Sequence, residues 1–156
     1  MKHYLKLFLW GLIPIPYGYL NNMLISRGMA IYPLPELAFL IGWACLAWWL
    51  CDVSKPIVPQ TAALCAAGIP ALLLGWLFCE ELLAGLMQAL SVIAQFYFCP
   101  VMLLFARNVG SFFYSLMGES YTIFPTFAAT WLVFLALSFL AMGWKRWRTH
   151  SDTDLP

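Results

Sequence analysis

The sequence predicts an all-α integral membrane protein, a bundle of four to five transmembrane helices, and three observations support this prediction. First, 63% of its 156 residues are hydrophobic and only 10% are charged, whereas soluble domains carry about 25% charged residues. Second, several apolar segments approach the roughly 20 residues that cross a hydrocarbon core. Third, polar or proline-containing stretches separate these segments. A polytopic membrane domain is therefore predicted for residues 1–148, followed by a mobile polar tail over residues 149–156.

Apolar segments define the predicted helices. They cover residues 7–25, 34–51, 61–79, 82–106 and 125–144. At about 1.5 Å per residue the first three segments reach ~27–29 Å, which just suffices to cross, while the fourth must tilt or protrude. Before the last segment, residues 109–117 are amphipathic and aromatic but too short to cross. They are predicted to form a short helix at the membrane interface.

The first segment is predicted to be broken at Pro14 and Pro16. Two prolines remove two backbone donors and free the carbonyls of Trp10 and Leu12. Because exposed backbone cannot face lipid, neighbouring helices must cover the break, or it must line a polar cavity. Two topologies remain open. In one, the segment spans with a kink, which is favoured by its length and by Asn21 and Asn22, which bound its apolar part. In the other, it enters the membrane and returns on the same side.

The distribution of basic residues bears on this choice. If the first segment spans and the N-terminus is cytoplasmic, the eight basic residues divide equally between the two sides, and the positive-inside rule has no preference. If the first segment returns, only Lys55 and Arg107 lie outside. The two termini share one side in the second topology and lie on opposite sides in the first.

Small residues in the third segment form a predicted helix-packing face, because a small residue at every fourth position lets another backbone approach closely. Pro70 also frees the carbonyl of Ala66, which a glutamine or serine of the fourth segment could satisfy. Segments three and four are therefore predicted to form an antiparallel hairpin. The face consists of Ala63, Ala67, Ala71 and Gly75.

The fourth segment carries a polar stripe whose members, together with Ala84, follow at intervals of three or four residues, so they share one helix face. Cys99 continues the spacing, and the neighbouring Glu80 is predicted to be solvated at the tip of the hairpin. Interhelical hydrogen bonds are favoured over a substrate path as the role of this stripe. Its members are Glu81, Gln88, Ser91 and Gln95.

Other chemical signals are few. The sequence has no glycine-rich phosphate loop, no Cys-x-x-Cys pair and no His-x-x-x-His pair, so we expect no cofactor and no metal site. Glu36 is predicted to lie in the first turn of a helix, where an acidic side chain complements the helix dipole. A net charge of +1 with scattered basic residues argues against a nucleic-acid partner.

Three functions are compatible with these features, and all place the chain in the cell membrane in contact with lipid. The favoured one is an accessory or assembly subunit that packs against another membrane protein or a second copy. One alternative is a small oligomeric transporter or channel with a polar path along the fourth segment. The other is a membrane enzyme acting on a lipid-linked substrate, with Glu80 or Glu81 as acid or base and Arg107 contacting the headgroup.

Two short motifs, Gly18-Tyr-Leu-Asn21 and Glu119-Ser-Tyr121, resemble the membrane anchors of bacterial phosphoethanolamine transferases. Those anchors carry a large catalytic domain with no counterpart among these residues. The resemblance implies a membrane part that works with a separate catalytic protein, and it favours the accessory role.

Overall fold

In a computed structural model, the structure describes residues 1–28, 33–79, 86–105 and 123–153, and these residues form helices and connecting turns without any strand. The prediction of an all-α fold is confirmed. The helices are α1 (Lys2–Trp10), α2 (Pro14–Ser26), α3 (Leu34–Leu50), α4 (Ile57–Cys65), α5 (Gly68–Cys79), α6 (Leu86–Gln95), α7 (Cys99–Phe105) and α8 (Ile123–Thr153).

The first, third and fourth predicted segments each consist of two helices divided by a turn. The turns lie at residues 11–13, 66–67 and 96–98, and each is followed within three residues by a proline. Proline has no N–H and its ring collides with the preceding turn, so an α-helix cannot continue through it undisturbed. The predicted break of the first segment thus has two counterparts, before Pro70 and before Pro100.

Backbone donors next to the prolines satisfy freed carbonyls locally. Ile13 N–H donates to the carbonyl of Trp10 at 3.1 Å, and Ile15 N–H to that of Leu12 at 3.0 Å. In the third segment Ile69 N–H donates to the carbonyl of Ala66 at 3.2 Å. That carbonyl therefore has a backbone donor, where a side chain of the fourth segment was expected.

The last helix is longer than its predicted segment. α8 continues to Thr153, so it includes the first part of the stretch that was predicted to be a mobile tail. Residues 124–151 of α8 are long and apolar enough to cross a membrane, and α4 and α5 meet the same criterion together across a bend of 42°. α3 is apolar but has 17 residues. The predicted interfacial helix at residues 109–117 lies outside the described residues.

Three parts of the chain meet at one end of the bundle, which we call the basic end. They are the start of α1, the connection at residues 51–56 and the last part of α8. His3 Nε2 lies 3.0 Å from Gln60 Oε1 at the start of α4. Lys145 Nζ donates to the carbonyl of Cys51 at 2.8 Å. The other end of the bundle is called the opposite end.

The first segment runs the full length of α3, in the reverse direction. Near the basic end, the Lys6 ammonium lies 5.1 Å from the centre of the Trp49 ring. Further along the chain, the Tyr17 hydroxyl donates to the carbonyl of Pro35 at 2.8 Å, at the start of α3. α1 and α2 therefore lead from the basic end to the opposite end, and α3 returns to the basic end.

α8 runs parallel to α3, and α4 with α5 runs antiparallel to both. Trp43 of α3 donates to Ser138 of α8 at 3.0 Å. Thr61, at the start of the third segment, donates to the sulfur of Met142 near the basic end. Gly75, late in α5, lies beside the ring of Phe127 at the start of α8. The third segment therefore leads to the opposite end.

The fourth segment enters and leaves the bundle at the opposite end. Phe96 lies against Gly18 of α2, while Cys99 accepts a hydrogen bond from Asn21, one turn further along α2. α7 therefore runs parallel to α2, toward the opposite end. α6 follows α5 in the chain and packs along it, so we infer that it runs inward. Residues 96–98 form the tip of this hairpin, and Met1 and the end of α8 both lie at the basic end.

The hairpin tip is part of the core. Tyr97 and Phe98 are both completely buried. The Tyr97 ring meets Phe134 edge to face with centroids 5.8 Å apart, and the Phe98 ring stacks on Phe127 at 4.7 Å. Aromatic pairs in these geometries are worth about 0.5–1.5 kcal/mol beyond their area burial. They fasten the tip to α8 in the middle of the bundle.

Candidate functional sites in the bundle interior

The three helix breaks lie close together because two glycines let backbones touch. A Cβ atom at Gly11 would overlap the carbonyl oxygen of Leu64, one residue before the end of α4. A Cβ atom at Gly18 would overlap the carbonyl oxygen of Phe96 at the hairpin tip. Only glycine fits such an approach, in which its Cα–H groups can face the carbonyls. Neighbouring backbone therefore covers the broken first segment.

A polar cluster occupies the space between these breaks. Trp43 Nε1 donates to Ser138 Oγ at 3.0 Å, and Ser138 Oγ in turn donates to the carbonyl of Phe134 at 2.6 Å. Cys65 Sγ lies 3.6 Å from Ser138 Oγ, and the Tyr97 ring packs against Phe134 with its buried hydroxyl lacking a hydrogen-bond partner among the described residues. We call Trp43, Cys65, Tyr97 and Ser138 the central polar cluster. Its members are neutral groups, so it can align helices but brings no charge to a substrate.

A second polar group lies near the opposite end, on α2 and the start of α3. Glu36 is 1% exposed and Asn21 is 2% exposed. Asn21 Nδ2 donates to the carbonyl of Cys99 at 3.4 Å, but within the described part of the chain Asn21 Oδ1 and Glu36 Oε2 have no hydrogen-bond partner. Tyr17 lies one helical turn before Asn21, and its hydroxyl donates to the carbonyl of Pro35, the residue that precedes Glu36. Glu36 occupies the first helical turn, as predicted. Its burial was not predicted.

At the basic end, Gln60 is completely buried, and both its oxygen and its nitrogen have hydrogen-bond partners. Gln60 Oε1 accepts from Asp52 N–H at 2.8 Å, while Nε2 donates to the carbonyls of Asp52 at 2.9 Å and Lys55 at 3.0 Å. Asp52 forms an ion pair with Lys55 at 2.6 Å. Hydrogen bonds from Lys55 and Ser54 hold the pKa of the Asp52 carboxyl well below its usual range.

The structure places only part of the predicted polar stripe. Ser91 is completely buried and Gln95 is half-buried at the end of α6. Gln88 lies in α6, where the structure describes only its backbone. Because the turn at residues 96–98 follows Gln95, the helical face does not continue to Cys99. Three further predicted residues, Glu80, Glu81 and Arg107, lie outside the described residues.

The predicted packing face is largely buried, but part of it faces α8. Ala67, Ala71 and Gly75 are buried, whereas Ala63 is half-buried. A Cβ atom at Gly75 would lie 3.1 Å from the Phe127 ring. The same helix, α5, also packs along α6. The small residues therefore serve contacts with the last helix as well as with the fourth segment.

Sequence reasoning missed Asn21, Gln60 and Tyr97. Gln60 precedes the third predicted segment, in a proline-containing connection. Its position as the fourth residue of α4 is the available signal, because a side chain in the first helical turn can reach back to the preceding loop. Nothing in the residue spacing marks Asn21 or Tyr97, since their burial depends on where the fourth segment returns.

Within the described part of the chain, no group of three or more His, Cys, Asp or Glu side chains could hold a metal ion. Comparisons with protein-family models, curated proteins and solved structures find no match for this chain. Arguments about function therefore rest on the geometry of the molecule itself.

Proposed function

We propose that this chain is a multi-pass membrane protein in which four segments cross the bilayer and the fourth of the five segments re-enters. The distribution of residues supports the proposal. Thr130 and Ser138 are completely buried, whereas Ile41 and Leu140, on the two unbroken helices, are 66% and 65% exposed. Water would penalise such an apolar surface, whereas lipid accepts it and requires polar groups to lie inside.

The charges favour an orientation with the basic end in the cytoplasm. Basic residues are enriched on the cytoplasmic side of membrane proteins. Of the two basic residues not placed at the basic end, Arg27 follows α2 at the opposite end and Arg107 lies outside the described residues. The topology expected from a returning first segment also has termini on one side, but here the fourth segment returns. The basic end carries Lys2, Lys6, Lys55, Lys145, Arg146 and Arg148.

Within the membrane, we propose that the protein acts as an accessory or assembly subunit whose partner is a transmembrane helix of another membrane protein or a second copy. The observation that carries this proposal is a pair of apolar grooves along one side of α8. One, of about 460 Å³, lies against α5 and includes Leu73 and Trp76. The next, of about 420 Å³, lies against α4 and includes Ala62 and Ala136.

The length and lining of the grooves fit a helix. Together they follow α8 from Phe124 to Phe139, a length of about 22 Å at 1.5 Å per residue. Exposed alanines in the second groove allow the close backbone approach that helix association in lipid requires.

The test compares two substitutions that introduce the same side chain on different sides of the bundle. Ala136→Phe fills the second groove, whereas Cys45→Phe enlarges an exposed residue on α3. Tagged chains are purified in mild detergent and the co-purifying or self-associated species are measured. We expect Ala136→Phe to lose an association that Cys45→Phe retains. A chain that is monomeric and without partners in cells, or an association that both variants retain, would rule out this surface.

A small transporter is the second candidate, because the hairpin tip places half-buried Gln95 beside the helix breaks. Broken helices and returning segments line substrate sites in transporters. Sodium flux into liposomes should fall in Gln95→Leu and Gln88→Leu. Flux that both changes leave unaltered would remove the polar stripe from any transport path.

A further inference from the structure

Asn21, Glu36 and Tyr17 converge at the opposite end of the bundle. Glu36 lies on the buried face of α3, three residues before Phe39, and the Phe39 ring packs 4.7 Å from the Tyr17 ring. Asn21 follows Tyr17 by one helical turn, so both share a face of α2. Asn21 bonds to Cys99 of α7, which itself packs against both α2 and α3. The helix that carries Tyr17 and Asn21 and the helix that carries Glu36 therefore both pack against α7, and Asn21 contacts its first residue.

These three side chains have used donors in the hydrogen bonds that they form, and mainly acceptor oxygens remain. The Tyr17 hydroxyl donates its hydrogen to the Pro35 carbonyl, and Asn21 Nδ2 donates to the Cys99 carbonyl. What remains is acceptors: the Tyr17 oxygen, Asn21 Oδ1 and the Glu36 carboxyl group, of which Asn21 Oδ1 and Glu36 Oε2 have no partner among the residues that the structure describes. Buried acceptors without donors are destabilising, and a buried carboxylate without a counter-charge more so.

A cationic group compensates this arrangement, because it donates to or coordinates the acceptor oxygens and also balances the carboxylate. Oxygen ligands prefer hard cations, and divalent ions are usually held by several carboxylates. Glu36 supplies one negative charge, which a monovalent cation balances. We propose that Glu36, Asn21 and Tyr17 form a binding site for a monovalent cationic group, either a sodium ion or the ammonium group of a small solute. This site is independent of the groove along α8 and of the assembly role.

The experiment measures the thermal unfolding midpoint of the full chain in detergent at constant ionic strength. Sodium chloride and methylammonium chloride are each compared with choline chloride, whose bulky cation has no N–H donor. A bound cation stabilises the folded state, and we expect the midpoint of the unmodified protein to rise by about 2–4 °C in one of the two salts.

Three variants locate the effect. Glu36→Gln keeps the size of the side chain and should abolish the rise, and so should Asn21→Ala. Asp52→Asn removes a carboxylate at the basic end and should retain the full rise. If Asn21→Ala does not fold, Glu36→Gln decides the question alone.

The two salts identify the kind of cation. A rise in sodium that Glu36→Gln abolishes supports a metal-ion site, and a rise confined to methylammonium with the same dependence supports an ammonium site. An equal rise in Glu36→Gln and the unmodified protein, or no rise in either salt, would overturn the proposal. Neither result bears on co-purification of the Ala136→Phe and Cys45→Phe variants, so the two proposals can fail separately.

Discussion

The two ends of the bundle both bury polar side chains, but they treat them differently. At the basic end, Gln60 has partners for its oxygen and its nitrogen, and these connect α4 to the loop before it. At the opposite end, Asn21 and Glu36 are equally buried, and each has an oxygen that no described residue bonds. Burial of a polar group therefore does not by itself indicate a functional site. Incomplete pairing distinguishes the opposite end, where a ligand could complete it, from the basic end, where the network is structural.

The largest expected effect concerns the close backbone contacts of Gly11 and Gly18. Such contacts occur both toward the basic end and toward the opposite end. Gly18→Ala places a Cβ atom on the Phe96 carbonyl, so backbones must separate at the hairpin tip. We expect a loss of about 3 kcal/mol of unfolding free energy, at the upper range for overpacking. The measurement is unfolding in mixed micelles.

Gly42→Ala is the matched control, because nothing lies within 4 Å of a Cβ atom there. It should leave stability unchanged or raise it by about 0.5–1 kcal/mol, the gain from replacing a glycine within a helix. Equal effects of Gly18→Ala and Gly42→Ala would show that α2 does not touch the tip.

The next largest effect concerns the basic end, where Gln60→Glu keeps the size of the side chain. Gln60→Glu replaces the amide nitrogen, which donates to the carbonyls of Asp52, Lys55 and Pro56, by a carboxylate oxygen. Because carbonyl oxygens would then face that carboxylate, we expect a loss of about 2–3 kcal/mol in unfolding free energy. A loss below about 0.5 kcal/mol would mean that the Gln60 network does not hold the connection at residues 51–56.

The reciprocal change tests the opposite end. Glu36→Gln, measured without sodium or ammonium ions, should alter the unfolding free energy by less than about 1 kcal/mol. The Glu36 oxygen that it replaces has no partner to lose, and removal of an unpaired buried charge offsets any local change. If Glu36→Gln were as costly as Gln60→Glu, the contrast between the two ends would be wrong.

The smallest effect concerns the exposed pair of Asp52 and Lys55. Since folding depresses the pKa of Asp52, its contribution is present above the pKa of the unfolded state, about 4, and is lost as the pH falls further. We expect a slight decline of the unfolding midpoint confined to pH below about 4, because solvent screens such pairs. Asp52→Asn should remove this part of the decline. A difference between the two proteins that sets in near pH 6 would contradict the assignment.

Hydropathy and proline positions predicted much of the fold. The segment at residues 34–51 closely matches α3. The predicted break of the first segment is also found, because α2 begins at Pro14. Pro100 follows the turn at residues 96–98, but it does not predict the return of the chain, because a proline shows where a helix breaks and not in which direction the chain continues. The return of the fourth segment follows from contacts of Phe96 and Cys99 with α2, which are distant in sequence.

The candidate site was less predictable for the same reason. Glu36 could be placed in the first turn of a helix from its position after Pro33 and Pro35, but its burial depends on α2 and α7. The polar stripe was drawn as one helical face through Cys99, whereas the turn after Gln95 divides it. Helical spacing holds only within one helix, so patterns that cross a break lose their meaning.

Location of the two termini tests the account most directly. Reporter fusions before Met1 and after Pro156, one active only in the cytoplasm and one active only outside it, determine the side of each terminus in cells. Four crossings and a returning fourth segment, with the basic end inward, place both termini in the cytoplasm. Termini on opposite sides of the membrane would mean that an odd number of segments cross, and would contradict the return of the fourth segment.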